Sequence, residues 1–544
     1  HAICEQNGIF RYGRSVFFEV EPNLALNISE LDLMWSDTPF PSVEFLSAIP
    51  DDPTLTALQQ TTQVRVTALY SDSAQKDVTL RRFGSTYLTS NTNVVSVDDD
   101  GLVTAIGAGE AFITVTNEGA TAVTKIIVAP GDPLTTVMGF VQLEDGTFVE
   151  GAEVSILGQG GATTTTGPDG GFTLNGVATT QGDLAVIAEF TIGVDSTVYG
   201  VSPAIPPVAG GLTDAGILTL IDAFYWINPN GGDWNDANNW ISGNVPGVTD
   251  NVSITLDGTY TVIFNGTATV ATLTVGASNG MQTLRIEAIS GIGDATLTVT
   301  LGFTNSGRIE MLNNDFGSSR SVTLNVSAGT LTNVGTLATP VGSNIVGPIS
   351  LNAQVDNQGT IDVDRNLNID NTGRTFTSTS GTLDIESGRV LTISNGTTEL
   401  GAATVFIGNG ATDLAGTHIL MLESDLTLPA GSSEPLRFSG SVTVGGPGAL
   451  TSQTLLMLTS DVVTVDVSNA GTLVARGVGN TIDGAFGNES GATFRLEGIS
   501  NFNDAAVTIA NGFTNSGRIE MLNNDTGSSR SVTLNVSAGT LTNV

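Results

Sequence analysis

The residues able to do acid–base or nucleophilic chemistry are few, and their spacing limits what they can do. Histidine occurs only as His1 and His418. His418 has Asp413, Glu423, Ser424 and Asp425 near it in sequence. A hydrolytic triad needs such groups to converge beside an oxyanion hole, and no Gly-x-Ser-x-Gly turn is present. We read His418 as a residue on a strand or turn and assign no catalytic residue. The densest acidic run is Asp362, Asp364, Arg365 and Asp370, within IDVDRNLNID. Its alternation predicts that several of these share one outer strand face. That is what a solvated strand shows. A polysaccharide-active enzyme is the alternative this run would have to carry.

Cys4 is the only cysteine, so neither an intrachain disulfide nor a cysteine zinc site can form. Calcium is the one ion the turns could take. Asp98, Asp99 and Asp100 make one acidic turn, and Asp233, Asn235 and Asp236 make another. Neither follows an EF-hand loop, and ordinary turn chemistry accounts for both. No cofactor is assigned, with calcium kept open at Asp98, Asp99, Asp100, Asp233 and Asp236.

The elements that hold these residues are strands. Helical periodicity is nearly absent, and the best case is two turns at Pro53 to Gln60. Elsewhere short runs rich in Val, Ile, Thr and Phe are broken by Gly, Asn and Asp, as in VRVTALY, AFITVT and RIEML. Asp100-Gly101, Asp145-Gly146, Asn265-Gly266 and Asn395-Gly396 mark tight turns. The class is all-β. The chain has 544 residues, long enough for several cores. Its net charge is −36, yet only 13% of residues are charged, so it does not read as an acidic disordered chain. Lys occurs only at Lys76 and Lys125, which excludes the basic stripe of a nucleic-acid binder or a membrane-surface helix. No apolar run reaches the ~18 residues of a membrane helix. The first residue is His, so we expect a processed form or a fragment.

Four regions follow. Residues 1–50 form an irregular N-terminal β segment, with FFEVEP and LALNISELDL as candidate strands. Residues 51–130 carry Tyr70-Ser71-Asp72, Asp77-Val78-Thr79, Ser90-Asn91, Val97, Gly101-Leu102-Val103, Gly107, Gly109 and Ala111. On these positions the region resembles a group 2 bacterial immunoglobulin-like domain, which implies a two-sheet sandwich used as a spacer or adhesive module. Residues 131–222 carry Gly139, Val141, Asp145-Gly146, Gly151-Ala152, Val154 and Gly170-Gly171-Phe172. They resemble a carboxypeptidase-regulatory-like β-sandwich, from which no peptidase activity follows.

Residues 223–544 open with Trp226, Gly231-Gly232, Trp234, Asn239-Trp240, Pro246-Gly247, Asp250 and Val252. This resembles the segment that begins the parallel β-helix regions of repetitive bacterial surface proteins. Trp226, Trp234 and Trp240 are expected to cap the open end of a solenoid core. Beyond them Asn-x-Gly turns recur at Asn305, Asn333, Asn357, Asn371, Asn469 and Asn515, several at spacings of one three-sided coil. Asn suits such turns because it tolerates left-handed backbone and can stack into hydrogen-bonded ladders. The region predicts about 13 coils and a rod of about 60 Å. Thr-x-Thr steps at Thr267, Thr272 and Thr296 could in principle bind ice, but they do not recur at one coil period. A long repeat is plain: residues 302–334 return at 512–544 with one change, Phe316 to Thr526. The natural protein is expected to continue beyond Val544.

The fold expected is all-β: Ig-like and β-sandwich domains followed by a right-handed parallel β-helix. The expected role is an extracellular, non-enzymatic stalk or adhesin of a bacterial cell surface. Alternatives are a self-assembling filament or surface-layer subunit, and a polysaccharide-active enzyme. Expected partners are the chain itself or surface glycans.

Overall fold

The computed structural model describes residues 2–6, 8–14, 34–192, 196–343, 346–431 and 433–544. FFEVEP and LALNISELDL lie outside the described residues. The described chain is all-β and divides into two compact units, His1–Pro133 and Leu134–Val544.

In the first unit, Ala2–Gln6, Ile9–Arg14 and Met34–Ser36 make a small antiparallel sheet. A sandwich follows. One sheet runs Val43–Pro50, Thr61–Tyr70, Leu102–Ala105, Val95–Val97, and the other Thr54–Leu55, Ala120–Val128, Gly109–Asn117, Thr86–Thr89. Val43–Pro50 pairs along most of Thr61–Tyr70, so the sandwich starts before residue 51 and takes in the end of the irregular segment. Alternation builds the core: Val64, Val66 and Ala68 point in, against Ile113 and Val115. No helix forms at Pro53 to Gln60. Thr54–Leu55 instead pairs in parallel with Ile127 and Val128, and the Gln60 side chain accepts the Thr56 and Ala57 amides. Two turns of weak periodicity do not repay helix nucleation when a sheet edge is on offer.

The second unit opens with another sandwich. Gly171–Val177, Thr135–Leu143 and Leu212–Leu220 face Thr163–Thr165, Glu153–Ile156, Val186–Ile192 and Ser196–Val201. The loosely patterned end of this region is a full strand, parallel to Thr135–Leu143.

The remainder is a parallel β-solenoid with three strand columns. Column A begins Thr267–Val270, Ala295–Val299 and continues into the first half of Val322–Asn333. Column B runs from Phe224–Tyr225 through Asn251–Ile254, Thr272–Val275 and Phe303–Asn305 to Val532–Val536, over thirteen parallel pairings. Column C begins Gly232–Asp233, Tyr260–Phe264, Gln282–Ala288, Arg308–Asn313. Thirteen steps of strand spacing make about 60 Å. One continuous apolar core fills it from Trp226 to Phe513. Leu157, Ala185 and Val201 of the preceding sandwich pack against this core.

Candidate functional site

Three indoles pack together where the solenoid begins. Trp226, Trp234 and Trp240 are all buried. Trp240 stacks edge-on against both Trp226 (5.1 Å between centroids) and Trp234 (4.9 Å), and Trp234 meets Phe264 at 5.5 Å. Such edge-to-face contacts add to the area buried. Trp226 Nε1 donates to the Asn228 carbonyl and Trp240 Nε1 to the Trp234 carbonyl. Asn239 ties the turn, accepting from Asn228 Nδ2 and donating to the Asp233 carbonyl. The tryptophans therefore pack as one buried cluster in the first coils, with Trp234 against Phe264.

The acidic turns are engaged by the protein itself. Asp233 accepts the Asn235 amide and Asp236 the Asn238 amide. Asp98 accepts the amides of Asp100 and Leu102, Asp99 pairs with Arg81, and Asp100 accepts the Arg81 amide. Among the described residues no three His, Cys, Asp or Glu side chains converge as a metal site.

IDVDRNLNID turns a corner instead of lying on one face. Asp362 sits in Thr360–Val363 of column C, and Asp370 ends Leu367–Asp370 of column A. Arg365, between them, is buried and donates to the Gly347 carbonyl. The alternation predicted a shared face because a bend of three residues is invisible to period two. Burial, with Asp364 beside it, pushes the Asp362 carboxyl up, while the Thr372 hydroxyl and amide hold Asp370 down.

His418 lies in column B within Ala411–Leu422, stacked on Gly396. It is 1% exposed, its Nε2 is 2.9 Å from Thr398 Oγ1, and burial lowers its pKa to about 4. Asp413 is across the Gly416 corner, in column A, bonded to Arg437 at 3.2 Å. The two do not meet as an acid–base pair. Asp461 is fully buried, accepts the Val442 and Thr459 amides, and is pushed up to about 6 by burial.

The Asn-x-Gly corners do form ladders. Asn305 Nδ2 donates to Asn333 Oδ1 and Asn333 Nδ2 to Asn357 Oδ1, each at 2.8 Å, and Asn357 donates to Ser378. A second ladder joins Asn469, Asn488, Asn515 and Asn543 at 2.6–2.7 Å. Asn371 is on a different corner and donates to the Thr397 carbonyl. The expected left-handed asparagine is wrong for the ladders, since positive φ occurs only at Asn395 and Asn503 among described asparagines. Hydrogen bonding alone selects Asn there. The glycine is selected by room: a Cβ on Gly359 would lie 2.1 Å from the Gly335 carbonyl oxygen, and one on Gly335 2.0 Å from that of Gly307. Asn488 and Asn543 escaped the sequence pattern because neither is followed by x-Gly.

Outside the core, two features were missed. Arg285 and Arg308 both clasp Glu310, at 2.9 and 2.8 Å, and Arg495 and Arg518 clasp Glu520 at 2.6 and 2.8 Å. Burial would raise the Glu310 carboxyl, but bonds from Arg308 and Arg285 hold it below its usual range. The Thr-x-Thr steps also stack: Thr267 on Thr296 on Thr323, and Thr269 on Thr298. Coils of unequal length hid this periodicity.

A cleft of 540 Å³ separates the second sandwich from the first coils, with Leu157, Gln159, Asp183, Ile227, Leu256 and Asp257 in its wall. Asp257 pins it, accepting the Ala204 amide at 2.7 Å and the Asn279 amide at 3.0 Å.

No known protein family matches the chain. No curated protein matches it either. Among solved structures, the S-layer protein rSbsC is similar over 32% of this chain and 28% of its own, at 17% identity and a TM-score of 0.16. The Bacillus anthracis TIE protein is similar over 34% of this chain and 42% of its own, at 10% identity and 0.20. The Yersinia pseudotuberculosis adhesin InvE is similar over 34% and 61%, at 11% identity and 0.14. At these scores the likenesses carry no weight for the fold or the function.

Proposed function

We propose that this chain is an extracellular structural and adhesive protein of a bacterial surface, with the solenoid as a stiff stalk. The observation that carries the reading is the single core from Trp226 to Phe513, which includes three packed indoles and is laced by two asparagine ladders. Each coil is held by its neighbours through parallel backbone ladders, so stiffness needs no disulfide. The acidic surface keeps neighbouring rods apart unless specific contacts join them. Surface glycans, or other copies of the chain, are the partners such a stalk would meet. The test is electron microscopy of the native protein, immunolabelled at its natural surface. Single rods tethered at one end support the stalk. Regular fibres with a fixed axial repeat would replace it with the filament subunit, and label confined to the cell interior would refute both.

A further inference from the structure

We infer that the 210-residue repeat is an angular unit as well as an axial one: its second copy is turned by one face of the solenoid. The pairings trace this directly. From Phe303–Asn305, column B descends through Val322–Asn333, Ile349–Asn357, Thr375–Ser378, Val390–Leu400, Ala411–Leu422, Ser441–Gly445, Val462–Val463 and Asn480–Ile482. The ninth step reaches Ala505–Ile509. The sequence equivalent of Phe303–Asn305 is Phe513–Asn515, one strand further along the chain and in a different sheet. The repeat is therefore nine coils and one third.

Three features turn with it. Arg308–Asn313 belongs to column C, whereas its equivalent Arg518–Asn523 stacks on Thr493–Gly498, Thr472–Ala475 and Leu455–Leu458. That stack lies against Leu436–Phe438 of column A. The Arg285–Glu310–Arg308 clasp and its copy Arg495–Glu520–Arg518 move with these strands. The asparagine ladder changes corner: Asn305, Asn333 and Asn357 close column B strands, while Asn488, Asn515 and Asn543 close strands in the following column.

The surface most affected is a knob made by two stacked loops. In the first copy, residues 289–294 and 314–321 leave column C for column A, with Ile292 and Phe316 exposed at their tips. The Ser321 amide donates to Asp294, and Arg320 pairs with Asp315 at 3.0 Å. In the second copy, residues 499–504 and 524–531 leave column A for column B. The Ser531 amide donates to Asp504, Arg530 pairs with Asp525 at 2.6 Å, and Phe502 and Thr526 are exposed. One internal architecture is thus presented on two different edges of a three-sided rod, about 45 Å apart along its axis at the usual strand spacing.

The experiment reads geometry alone. In a Cys4→Ser background, Phe316→Cys and Thr526→Cys are tagged with biotin and streptavidin, and single-particle cryo-electron microscopy assigns each tag to an edge of the rod by following the columns. Ile292→Cys with Phe502→Cys repeats the test one coil further in. Tags on adjacent edges are expected from both pairs. Tags from either pair on the same edge would overturn the inference, whatever the protein is found to bind.

Discussion

His418 and Asp461 make stability depend on pH in opposite directions, and substitution should separate them. In the fold, burial holds His418 neutral down to about 4, against an ordinary value of 6.5. Its contribution is full above pH 6.5 and is lost as pH falls towards 4, because the unfolded chain takes up the proton first. Asp461 is raised from 3.8 to about 6. Its contribution is full below pH 3.8 and is lost as pH rises through 6, because the unfolded chain releases the proton first. At about 1.4 kcal/mol per pH unit, each amounts to about 3 kcal/mol across its window. Over pH 4–6 the two nearly cancel. Urea unfolding of the intact chain at half-unit steps from pH 4 to 7 is the assay, with amide exchange in Ala411–Leu422 and Ser441–Gly445 as the local probe. Relative to the wild type, His418→Gln should gain stability as pH falls and Asp461→Asn should lose it. Parallel curves for the wild type and either variant would refute the reasoning, since burial would then not be controlling that proton.

Trp240→Ala removes the indole that touches both Trp226 and Trp234. It should cost about 3–5 kcal/mol, seen as lost exchange protection in Asn251–Ile254 and Tyr260–Phe264. Asn333→Ala deprives Asn357 Oδ1 of its ladder donor and Asn305 Nδ2 of its side-chain acceptor. Each buried group left unpaired costs about 1–3 kcal/mol, so the coils around Val322–Asn333 should exchange faster while those beyond Asn469 stay unchanged. Gly359→Ala brings a Cβ within 2.1 Å of the Gly335 carbonyl oxygen. It should destabilise the same coils, whereas Gly373→Ala, whose Cβ meets open space but at a φ of 70°, should cost only about 1 kcal/mol of backbone strain. Chelation by EDTA should leave the melting temperature unchanged, because Asp98, Asp233 and Asp236 already hold backbone amides; a fall of several degrees would reveal a bound ion.

Local signals carried most of the fold. Period-two alternation found strands such as Thr61–Tyr70 and Gly109–Asn117, and the glycines of Asp100-Gly101, Asp145-Gly146, Asn265-Gly266 and Asn395-Gly396 all turn at positive φ. Recurrent asparagines announced a solenoid, and the three closely spaced tryptophans pack against one another in its first coils. The acidic run was misread for a physical reason. Alternation continues through IDVDRNLNID, but Arg365 is drawn inside at the corner, so the carboxylates on either side face different ways.

The sequence alone determined that this is an all-β, acidic chain with no intrachain disulfide, a stacked core and a long internal repeat. Those properties follow from residue type and from spacing within one coil, where interactions are local. Only the tertiary structure decided which coil lies on which. Coil lengths vary, so sequence distance does not convert into position around the rod. Thr267 meets Thr296, Asn469 meets Asn488, and two nearly identical segments come to rest on different faces. Register between coils is set by the sum of every corner and strand that precedes it, and that sum is taken only when the chain is wound.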